Sequence, residues 1–369
     1  MSDSALTDLL EYSVVFTDRS VNHMSQRFQR CMNDLHTGLT QTYNAESMVL
    51  VPGGGSYGME AVARQFGLGK RKSFLRNGWF SYRWTQIFDI IEPGHQTPVM
   101  MAQRTGEGAT APFQPKPLAE VLAHIEERRP EVFFAPHVET SAGMVLPDDY
   151  IRAVGAAVRA VGGLFVLDCV ASGSLWIDMK DLNVDVLVSA PQKGWSSSPS
   201  AGVVMLGRRA LDRMDEIGPT SFTVDLSKWH AIMQAYLGGG HAYHATMPTD
   251  ALLGFADNMA ETLEFGLEAA REAQIEIGTN VRALLAEQGF ESVAAEGFQA
   301  APVVVCFAPS AEFQNGSVFA AQGLQIAAGV PLAVEEGPDY KSFRFGLFGL
   351  DKLKNPERTV SRLKEAMGW

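Results

Sequence analysis

The sequence predicts an α/β protein in which a mainly parallel β-sheet is covered by helices on both faces. Short apolar runs alternate with helical segments of about ten residues or more until roughly residue 250, and this alternation is typical of β–α–β units. Several runs, such as LFVLD and GVVMLG, are apolar at nearly every position, as expected for strands buried on both faces. After residue 250 a long helical stretch and a few shorter strands predict a second, smaller α+β unit.

The elements of the larger unit follow one another in regular order. The first strand, 48–51, leads through a glycine-rich turn into a helix over about 57–66. The helix around residue 120 has apolar residues at positions 118, 121, 122 and 125, which is helical spacing. The remaining predicted strands are 72–77, 98–103, 132–137, 164–168, 184–190 and 202–207, and the helices between them are 81–91, 117–129 and 148–162.

The smaller unit begins with a segment, 249–288, that is mostly helical and has no strand pattern. Its predicted strands are 302–308, 325–331 and 342–349, and a helix over 355–367 follows them. We therefore predict an N-terminal arm and a large domain over 1–250, and a connecting helix with a small C-terminal domain over 251–369.

Composition narrows the possible functions. The chain has 369 residues, is 46% hydrophobic and 20% charged, and carries a net charge of −12, which argues against a nucleic-acid partner. Its three cysteines, an odd number without metal-like spacing, favour a reducing, cytoplasmic location and predict no metal site. The N-terminus shows no signal-peptide pattern, and no apolar run is long enough to predict a membrane span.

An acid and a lysine at the ends of two predicted strands are the most informative pair. Asp168 ends one apolar run, and Lys193 follows the next. In an open α/β sheet such positions face the crevice that binds ligands. A lysine amine can form a Schiff base with an aldehyde, and an aspartate can hold a pyridine nitrogen protonated, as pyridoxal 5'-phosphate (PLP) requires. Taken alone, the pair also fits a helix N-cap and a solvated lysine.

The glycine-rich turn VPGGGSYGMEAV predicts an anion site. It follows a strand and opens a helix, so its backbone N–H groups point at one place. It has no Gly-Lys-Ser/Thr of a Walker loop. Gly53, Gly55 and Gly58 fit the bare dinucleotide spacing, but a basic segment, 70–72, stands where an acid is expected. A phosphate anchor for a smaller cofactor fits better, although a plain tight turn is the alternative.

Several motifs, taken together, resemble one family. GGGSYGMEAV, NGWFSYR, PHVETSAG, LDCVAS and PQKG occur in the order and near the spacing of the class V aminotransferases of PLP fold type I, the alanine–glyoxylate, serine–pyruvate and aminoethylphosphonate transaminase group. The resemblance covers roughly residues 48–350. It implies a large PLP-binding domain with a mainly parallel sheet flanked by helices, a smaller C-terminal α+β domain, and PLP as the cofactor.

The resemblance also implies roles for individual residues. Lys193 would be the Schiff-base lysine and the proton carrier, and Asp168 would contact the pyridine nitrogen. Phe80 would stack on the ring, with Val170 beneath it and Thr140 beside the ring hydroxyl. The phosphate would be held by Gly54, Gly55, Ser56 and Gln192.

Two further motifs concern assembly and substrate. YHATMP resembles the family's Tyr-His-x-Thr-x-Pro, so Tyr243 and Thr246 would reach the cofactor phosphate of a partner subunit in a homodimer; a surface loop is the alternative. SFRFGLFG resembles the C-terminal Arg-x-Gly-x-x-Gly, so Arg344 would bind the substrate α-carboxylate. A guanidinium can hold a carboxylate through two hydrogen bonds.

The chain departs from the family at the predicted substrate pocket. VVFTDRSVNHMS, residues 14–25, stands where a Gly-Pro-rich segment is usual, and Trp195 follows the lysine where smaller residues are common. Both changes are expected to reshape the pocket. Arg19, Asn22 and His23 would line it, or would belong to an arm packed on the partner.

These observations predict a PLP-dependent aminotransferase that moves an amino group from a small amino acid to a small 2-oxo acid by a ping-pong mechanism. One alternative is another PLP reaction on the same fold, such as a lyase or a desulfurase. A desulfurase needs a mobile cysteine, whereas Cys306 lies in an apolar run that predicts a core strand. The other alternative is a non-catalytic PLP-binding protein.

Overall fold

A computed structural model describes residues 9–369 of the chain. Residues 1–8 lie outside the described residues, and the prediction that the N-terminus has no signal peptide concerns this segment. No described helix is long and apolar enough to cross a membrane. The strands are β1 (Ser47–Pro52), β2 (Lys72–Arg76), β3 (Val99–Met101), β4 (Gln103–Arg104), β5 (Phe113–Gln114), β6 (Val132–Pro136), β7 (Val138–Glu139), β8 (Met144–Val145), β9 (Leu164–Asp168), β10 (Val186–Ser189), β11 (Ala201–Leu206), β12 (Val303–Phe307), β13 (Ala327–Ala328) and β14 (Ser342–Gly346).

The central sheet has seven strands in the order β1-β11-β10-β9-β6-β2-β3. Only β11 among them runs against its neighbours, and β10, β9, β6, β2 and β3 are parallel. Every residue of β2, β6, β9, β10 and β11 is buried, as expected for a sheet with both faces covered. The predicted α/β class with a mainly parallel sheet is confirmed.

Helices cover this sheet and form the outer layers. The first of them, α1, packs against α7, α8 and β1. A π-helical turn, Ala63–Gly67, extends α2. The helices are α1 (Gln26–Tyr43), α2 (Gly55–Val62), α3 (Trp79–Ile91), α4 (Leu118–Arg128), α5 (Asp148–Ala160), α6 (Arg208–Leu211), α7 (Leu226–Leu237), α8 (Thr249–Phe265), α9 (Leu267–Glu287), α10 (Ala311–Gln314), α11 (Ser317–Ala320), α12 (Leu350–Leu353) and α13 (Pro356–Met367).

Helix α1 was not predicted from the sequence, although its segment carries helical signals. Ser25 caps its start by accepting a hydrogen bond from the N–H of Phe28 at 3.1 Å. Its buried apolar residues recur every three or four positions, and Asn44 ends it in a left-handed conformation. Helix α7 was also missed. Both helices contribute buried side chains to the large core.

A second, antiparallel sheet forms the centre of the smaller unit. Its order is β12-β14-β13, and α9, α12 and α13 pack on it around one apolar cluster. Another cluster, which includes Phe113, Met144 and Leu332, joins this sheet to the short hairpins of the large unit. Helix α8 contributes Leu252 and Phe255 to the core of the large unit. The division at residue 250 stays a prediction.

Candidate active site

The carboxyl ends of β9 and β10 bring Asp168 and the lysine-bearing loop to one edge of the sheet. The two strands are parallel neighbours, and Asp168 pairs in register with Val188 of β10 and Pro136 of β6. Lys193 follows β10 directly in a short loop. Because carboxyl ends of parallel strands share one edge, the predicted acid and lysine face the same crevice.

Burial raises the pKa of the Asp168 carboxyl and so favours its protonated form. Its carboxylate accepts a hydrogen bond from the N–H of Val170 at 3.0 Å, and it forms no ion pair among the described residues. Burial raises the pKa of Asp168 to about 7, an effect partly offset by this hydrogen bond, reinforced by Glu139 and opposed by Arg83. A buried acid without a cation is costly, so the position favours a cationic partner.

Lys193 lies in a partly buried, aromatic environment. Its Nζ is 4.7 Å from the ring centroid of Phe348, which belongs to the loop after β14. Burial lowers the pKa of the Lys193 ammonium, and the positive charge of Arg344 lowers it further. Both effects increase the fraction of neutral amine, the form that can act as a base or a nucleophile.

The glycine-rich turn opens α2 as the sequence predicts. Gly53 has φ +129, a conformation that favours glycine, and Gly54 is the N-cap. A Cβ on Gly55 would stand 2.7 Å from Val170, so this close approach requires glycine. Within residues 9–369, the backbone N–H groups of Gly54, Gly55 and Ser56 donate no hydrogen bond. They form an open anion site at the helix start.

A buried carboxylate fixes the start of α3 and therefore the position of Phe80. Glu139 is fully buried and accepts hydrogen bonds from the N–H groups of Phe80 at 3.2 Å and Ser81 at 2.9 Å. It also accepts from the hydroxyls of Ser81 and Ser141, each at 2.7 Å. Gly78 must be glycine because a Cβ there would lie 2.1 Å from Ser141 Oγ. Carboxylates are favourable at a helix N-terminus.

Two guanidinium groups lie against the Phe80 ring. Arg83 lies 4.9 Å and Arg344 5.6 Å from its centroid. Arg344 donates from Nε to the carbonyl of Ala328 at 2.9 Å and from Nη1 to that of Thr140 at 3.5 Å. Neither arginine, nor Lys193, forms an ion pair with a carboxylate within the described part of the chain. Such a site favours anionic ligands.

The other residues predicted for the site fall in two places. Thr140 joins the cluster through its carbonyl, and Gln192, beside the lysine, has a buried Oε1 that finds no partner among the described residues. Tyr243 and Thr246 lie on a separate loop before α8, where their hydroxyls are 3.0 Å apart and the tyrosine is 53% exposed. No described contact joins this pair to the cluster around Phe80.

Trp195 does not reshape the pocket as predicted. Its side chain is fully buried and packs between Trp176, Tyr43 and Phe255, with ring centroids 4.7–6.4 Å apart. The residue therefore belongs to the core of the large unit. Its place two residues after Lys193 in the sequence did not show that the side chain packs into this core.

The cluster fits PLP. Free N–H groups at the start of α2 suit its phosphate, and Asp168 suits a protonated ring nitrogen. The ring of Phe80 suits stacking on an aromatic ring, and the close approach of Gly55 to Val170 leaves no room for a side chain at position 55. Lys193 would supply the amine that holds the cofactor.

Sequence reasoning missed three members of the cluster, Arg83, Glu139 and Phe348. All three lie inside motifs that the sequence analysis used for other residues. Arg83 follows Phe80 by three positions, the spacing that places two helical residues on one face. That spacing was the available signal for Arg83, whereas the contacts of Glu139 and Phe348 depend on distant segments.

Comparisons with known proteins agree with this geometry. The family model described as Aminotransferase class-V matches residues 4–333. Alanine–glyoxylate aminotransferase of Oryctolagus cuniculus is 23% identical over 94% of this chain and 86% of its own. The 2-aminoethylphosphonate–pyruvate transaminase of Vibrio parahaemolyticus is 24% identical over 90% and 86%. The crystal structure of ureidoglycine–glyoxylate aminotransferase from Bacillus subtilis matches with a TM-score of 0.76 and 20% identity, over 94% and 87%.

Proposed function

This chain belongs to the class V aminotransferase family, a family of PLP-dependent transaminases, and we propose that it moves an amino group from a small amino acid to a small 2-oxo acid of the pyruvate or glyoxylate type. The similar proteins named above are aminotransferases whose names include alanine, glyoxylate or pyruvate. At 23–24% identity these names indicate the class of substrate rather than the substrate itself.

One observation carries the proposal. Lys193, Arg344 and Arg83 surround the rings of Phe80 and Phe348 without a carboxylate partner among the described residues, in a chain whose net charge is −12. A cofactor phosphate and a substrate carboxylate would supply the missing negative charges. The arrangement therefore suits an anionic cofactor together with an anionic substrate. In the proposed reaction the amino donor and the 2-oxo acid would bind in turn at the same place, which gives ping-pong kinetics.

When bound, PLP supplies the electron sink that makes the α-proton of an amino acid acidic. Asp168 would keep the ring nitrogen protonated. The positive charge of that nitrogen would in turn lower the raised pKa of the Asp168 carboxyl. Lys193 Nζ would hold the cofactor covalently. Once displaced by the amino donor, the same Nζ would take the α-proton and return it at the cofactor carbon that had been joined to the lysine. The lowered pKa of Lys193 favours this role.

Arg344 would orient the substrate. Its Nε is engaged by the carbonyl of Ala328, while Nη1 makes only a long contact with Thr140, so the outer edge of the guanidinium can take a carboxylate. Phe348 over the lysine and Phe80 beside the arginine limit the space for a side chain. This crowding supports small amino acids as donors.

The cysteines argue against a desulfurase. Cys31, Cys169 and Cys306 are free and buried. Cys306 lies on β12 opposite Phe343, and burial raises its pKa to about 12, so its thiol is protonated at neutral pH. Free thiols of this kind support the proposed cytoplasmic location, where cysteines stay reduced.

A half-reaction screen tests the proposed function. Holoenzyme is mixed with one amino acid at a time, and the loss of the visible absorbance of the bound cofactor is followed. We expect small donors such as alanine or serine to cause the fastest loss, and pyruvate or glyoxylate to restore the absorbance. A protein that binds PLP but responds to no amino acid would instead favour the non-catalytic alternative.

We also propose that the protein is a homodimer with shared active sites. Tyr243 and Thr246 are exposed, hydrogen-bonded to each other, and lie away from the cluster around Phe80. Large apolar side chains are also exposed on the N-terminal arm and near this loop, namely Leu9, Leu10, Tyr12, Val14, Met24 and Phe222. Exposed apolar surface of this kind is typical of an interface. His23 of the arm packs against Tyr243 at 5.4 Å, so arm and loop would meet the partner together.

A further inference from the structure

Arg83 is a cation of the candidate active site that has no carboxylate partner among residues 9–369. It lies in the first turns of α3, three residues after Phe80, and its guanidinium rests against the Phe80 ring at 4.9 Å. Its Nη1 donates a hydrogen bond to Ser56 Oγ at 3.0 Å. Ser56 belongs to the glycine-rich turn, where the N–H groups of Gly54, Gly55 and Ser56 donate to no group in the described part of the chain. Arg83 therefore stands at the open anion site.

The two arginines beside Phe80 are held at different ends of the site. Arg344 is bonded to the carbonyls of Thr140 and Ala328, whereas Arg83 is bonded to the turn that opens α2. Such a separation suits two different anions. The end occupied by Arg344 is the proposed place of the substrate carboxylate, so the anion at the Arg83 end has to be another group.

A phosphate monoester needs more positive charge than the turn provides. Its charge at neutral pH is close to −2, whereas a helix N-terminus acts as about half a positive charge. Arg83 has no carboxylate partner in residues 9–369, and it is near enough to lower the pKa of Asp168. A planar guanidinium that keeps its charge and has free N–H groups matches phosphate oxygens well.

We propose that Arg83 binds the phosphate group of PLP together with Ser56 and the N–H groups of the glycine-rich turn. The inference rests on the proposed placement of PLP at this edge of the sheet. The hydroxyl of Ser56 accepts a hydrogen bond from Arg83 and so orients the guanidinium toward the turn. Glu139 fixes the start of α3, the helix to which Arg83 belongs. Arg83 is thus a cofactor-binding residue, and its pairing with phosphate also keeps a cation next to Phe80.

Binding of PLP and of pyridoxal, which lacks the phosphate, tests the inference without measuring turnover. Apoprotein is titrated with each compound, and binding is followed by tryptophan fluorescence and visible absorbance. In Arg83→Gln we expect PLP to bind about 10- to 100-fold more weakly, the size of a lost charge-assisted hydrogen bond, while pyridoxal changes less than about threefold. Arg83→Lys keeps the charge without the planar fork, so its loss should be intermediate.

Two controls accompany the titration. Arg64→Gln removes a cation of the segment just after α2 that pairs with Glu60, and it should leave both affinities unchanged. Inorganic phosphate should compete with PLP for the wild-type apoprotein and should raise its melting temperature, and both effects should need about 10- to 100-fold more phosphate in Arg83→Gln. If Arg83→Gln folds poorly, the loss of PLP affinity relative to pyridoxal affinity in Arg83→Lys decides the question, because that variant keeps the charge and lacks only the planar fork.

The outcomes separate the possibilities. Equal losses for PLP and pyridoxal would overturn the inference and leave Arg83 as a residue that positions Phe80. Unchanged PLP affinity, with a higher KM only for donors that carry a second anionic group, would overturn it in favour of side-chain recognition. A wild-type protein that binds neither compound would refute the proposed function itself.

Discussion

The two edges of the central sheet use their arginines and lysines in opposite ways. At the carboxyl edge, Arg83, Lys193 and Arg344 have no carboxylate partner among the described residues. At the other edge, a cleft of about 220 Å³ is lined by basic side chains as well, but each has a partner. The pairs are Arg159 and Arg209 with Asp185, Lys180 with Glu46, and Arg208 with Asp212.

This difference separates charges that hold the fold from charges that hold ligands. Asp185 is buried at the start of β10 and also accepts a hydrogen bond from the N–H of Phe165 at 2.9 Å. It forms an ion pair with Arg209 at 2.8 Å, so both charges have their partner within the chain. The cations at the carboxyl edge would instead find their anionic partners in the cofactor and the substrate. Substitutions should therefore affect function at one edge and stability at the other.

The largest effect is expected for Lys193→Ala. Turnover should fall by about 10⁴-fold or more, because the residue supplies both the covalent attachment and the proton transfers. Melting of the apoprotein should stay unchanged or rise, since a half-buried cation without an ion pair is removed. Lys180→Ala at the opposite edge is the control and should keep full activity. Normal turnover of Lys193→Ala would show that the lysine is not the catalytic base.

Asp168→Asn should lower turnover by about 10²- to 10⁴-fold and weaken PLP binding, because the protonated ring nitrogen loses its partner. The amide can still accept the hydrogen bond from Val170, so the fold should persist. Steady-state kinetics and PLP titration of the purified variant check both effects. Near-normal values would mean that Asp168 has only a structural role.

The raised pKa of Asp168 predicts a difference in the pH dependence of stability between the wild-type protein and Asp168→Asn. The pKa of the Asp168 carboxyl is 3.8 in the unfolded chain and about 7 in the folded one. Between these two pH values the folded apoprotein therefore keeps this carboxyl protonated while the unfolded chain loses the proton. Stability of the wild-type apoprotein should therefore fall as pH rises from about 4 to 7. Asp168→Asn lacks this group and should be the more stable protein at pH 7. Parallel melting curves over this pH range would contradict the assignment.

At the opposite edge, Arg209→Ala should destabilise the protein by about 3 kcal/mol, since Asp185 would stay buried with only the longer contact to Arg159. Denaturant unfolding measures the loss, and kcat/KM of the folded fraction should not change. Arg208→Ala, next to it but exposed, should cost less than about 0.5 kcal/mol. A loss of kcat/KM in Arg209→Ala would contradict the separation of charges that stabilise the fold from charges that bind ligands.

The smallest expected signal comes from mixing two inactive variants. Heterodimers of Lys193→Ala with Tyr243→Ala/Thr246→Ala would carry both lesions in one site and none in the other. Random exchange gives about half mixed dimers, so activity should recover to about a quarter of wild type. Differently tagged chains verify the exchange. A monomer at micromolar concentration, or exchanged chains without recovery, would contradict the shared site.

The parts of the structure that were predicted are those encoded by neighbouring residues. The strands that end at Asp168 and at Ser189, the turn before α2 and the β14 strand with Arg344 carry their patterns within a few positions. The antiparallel direction of β11 was not predicted. The segment between β10 and β11 contains no helix, and a parallel crossover normally needs one, so this signal was present in the sequence.

The parts that were missed depend on contacts between distant segments. Arg83 meets Ser56 across 27 positions, and Trp195 points into a core built by Tyr43, Trp176 and Phe255. Helix α1 is stabilised by α7 and α8, which lie more than half the chain away. Local patterns do not report such contacts.

Mass spectrometry of the reduced holoenzyme tests the central claim most directly. Borohydride is added to the PLP-loaded protein, either before or after a small amino donor, and peptides are searched for bound cofactor. We predict that reduction of the resting enzyme labels the peptide with Lys193 and no other, and that prior addition of the donor abolishes the label. A label on another lysine, or one at Lys193 that no amino acid removes, would contradict the proposed transaminase site.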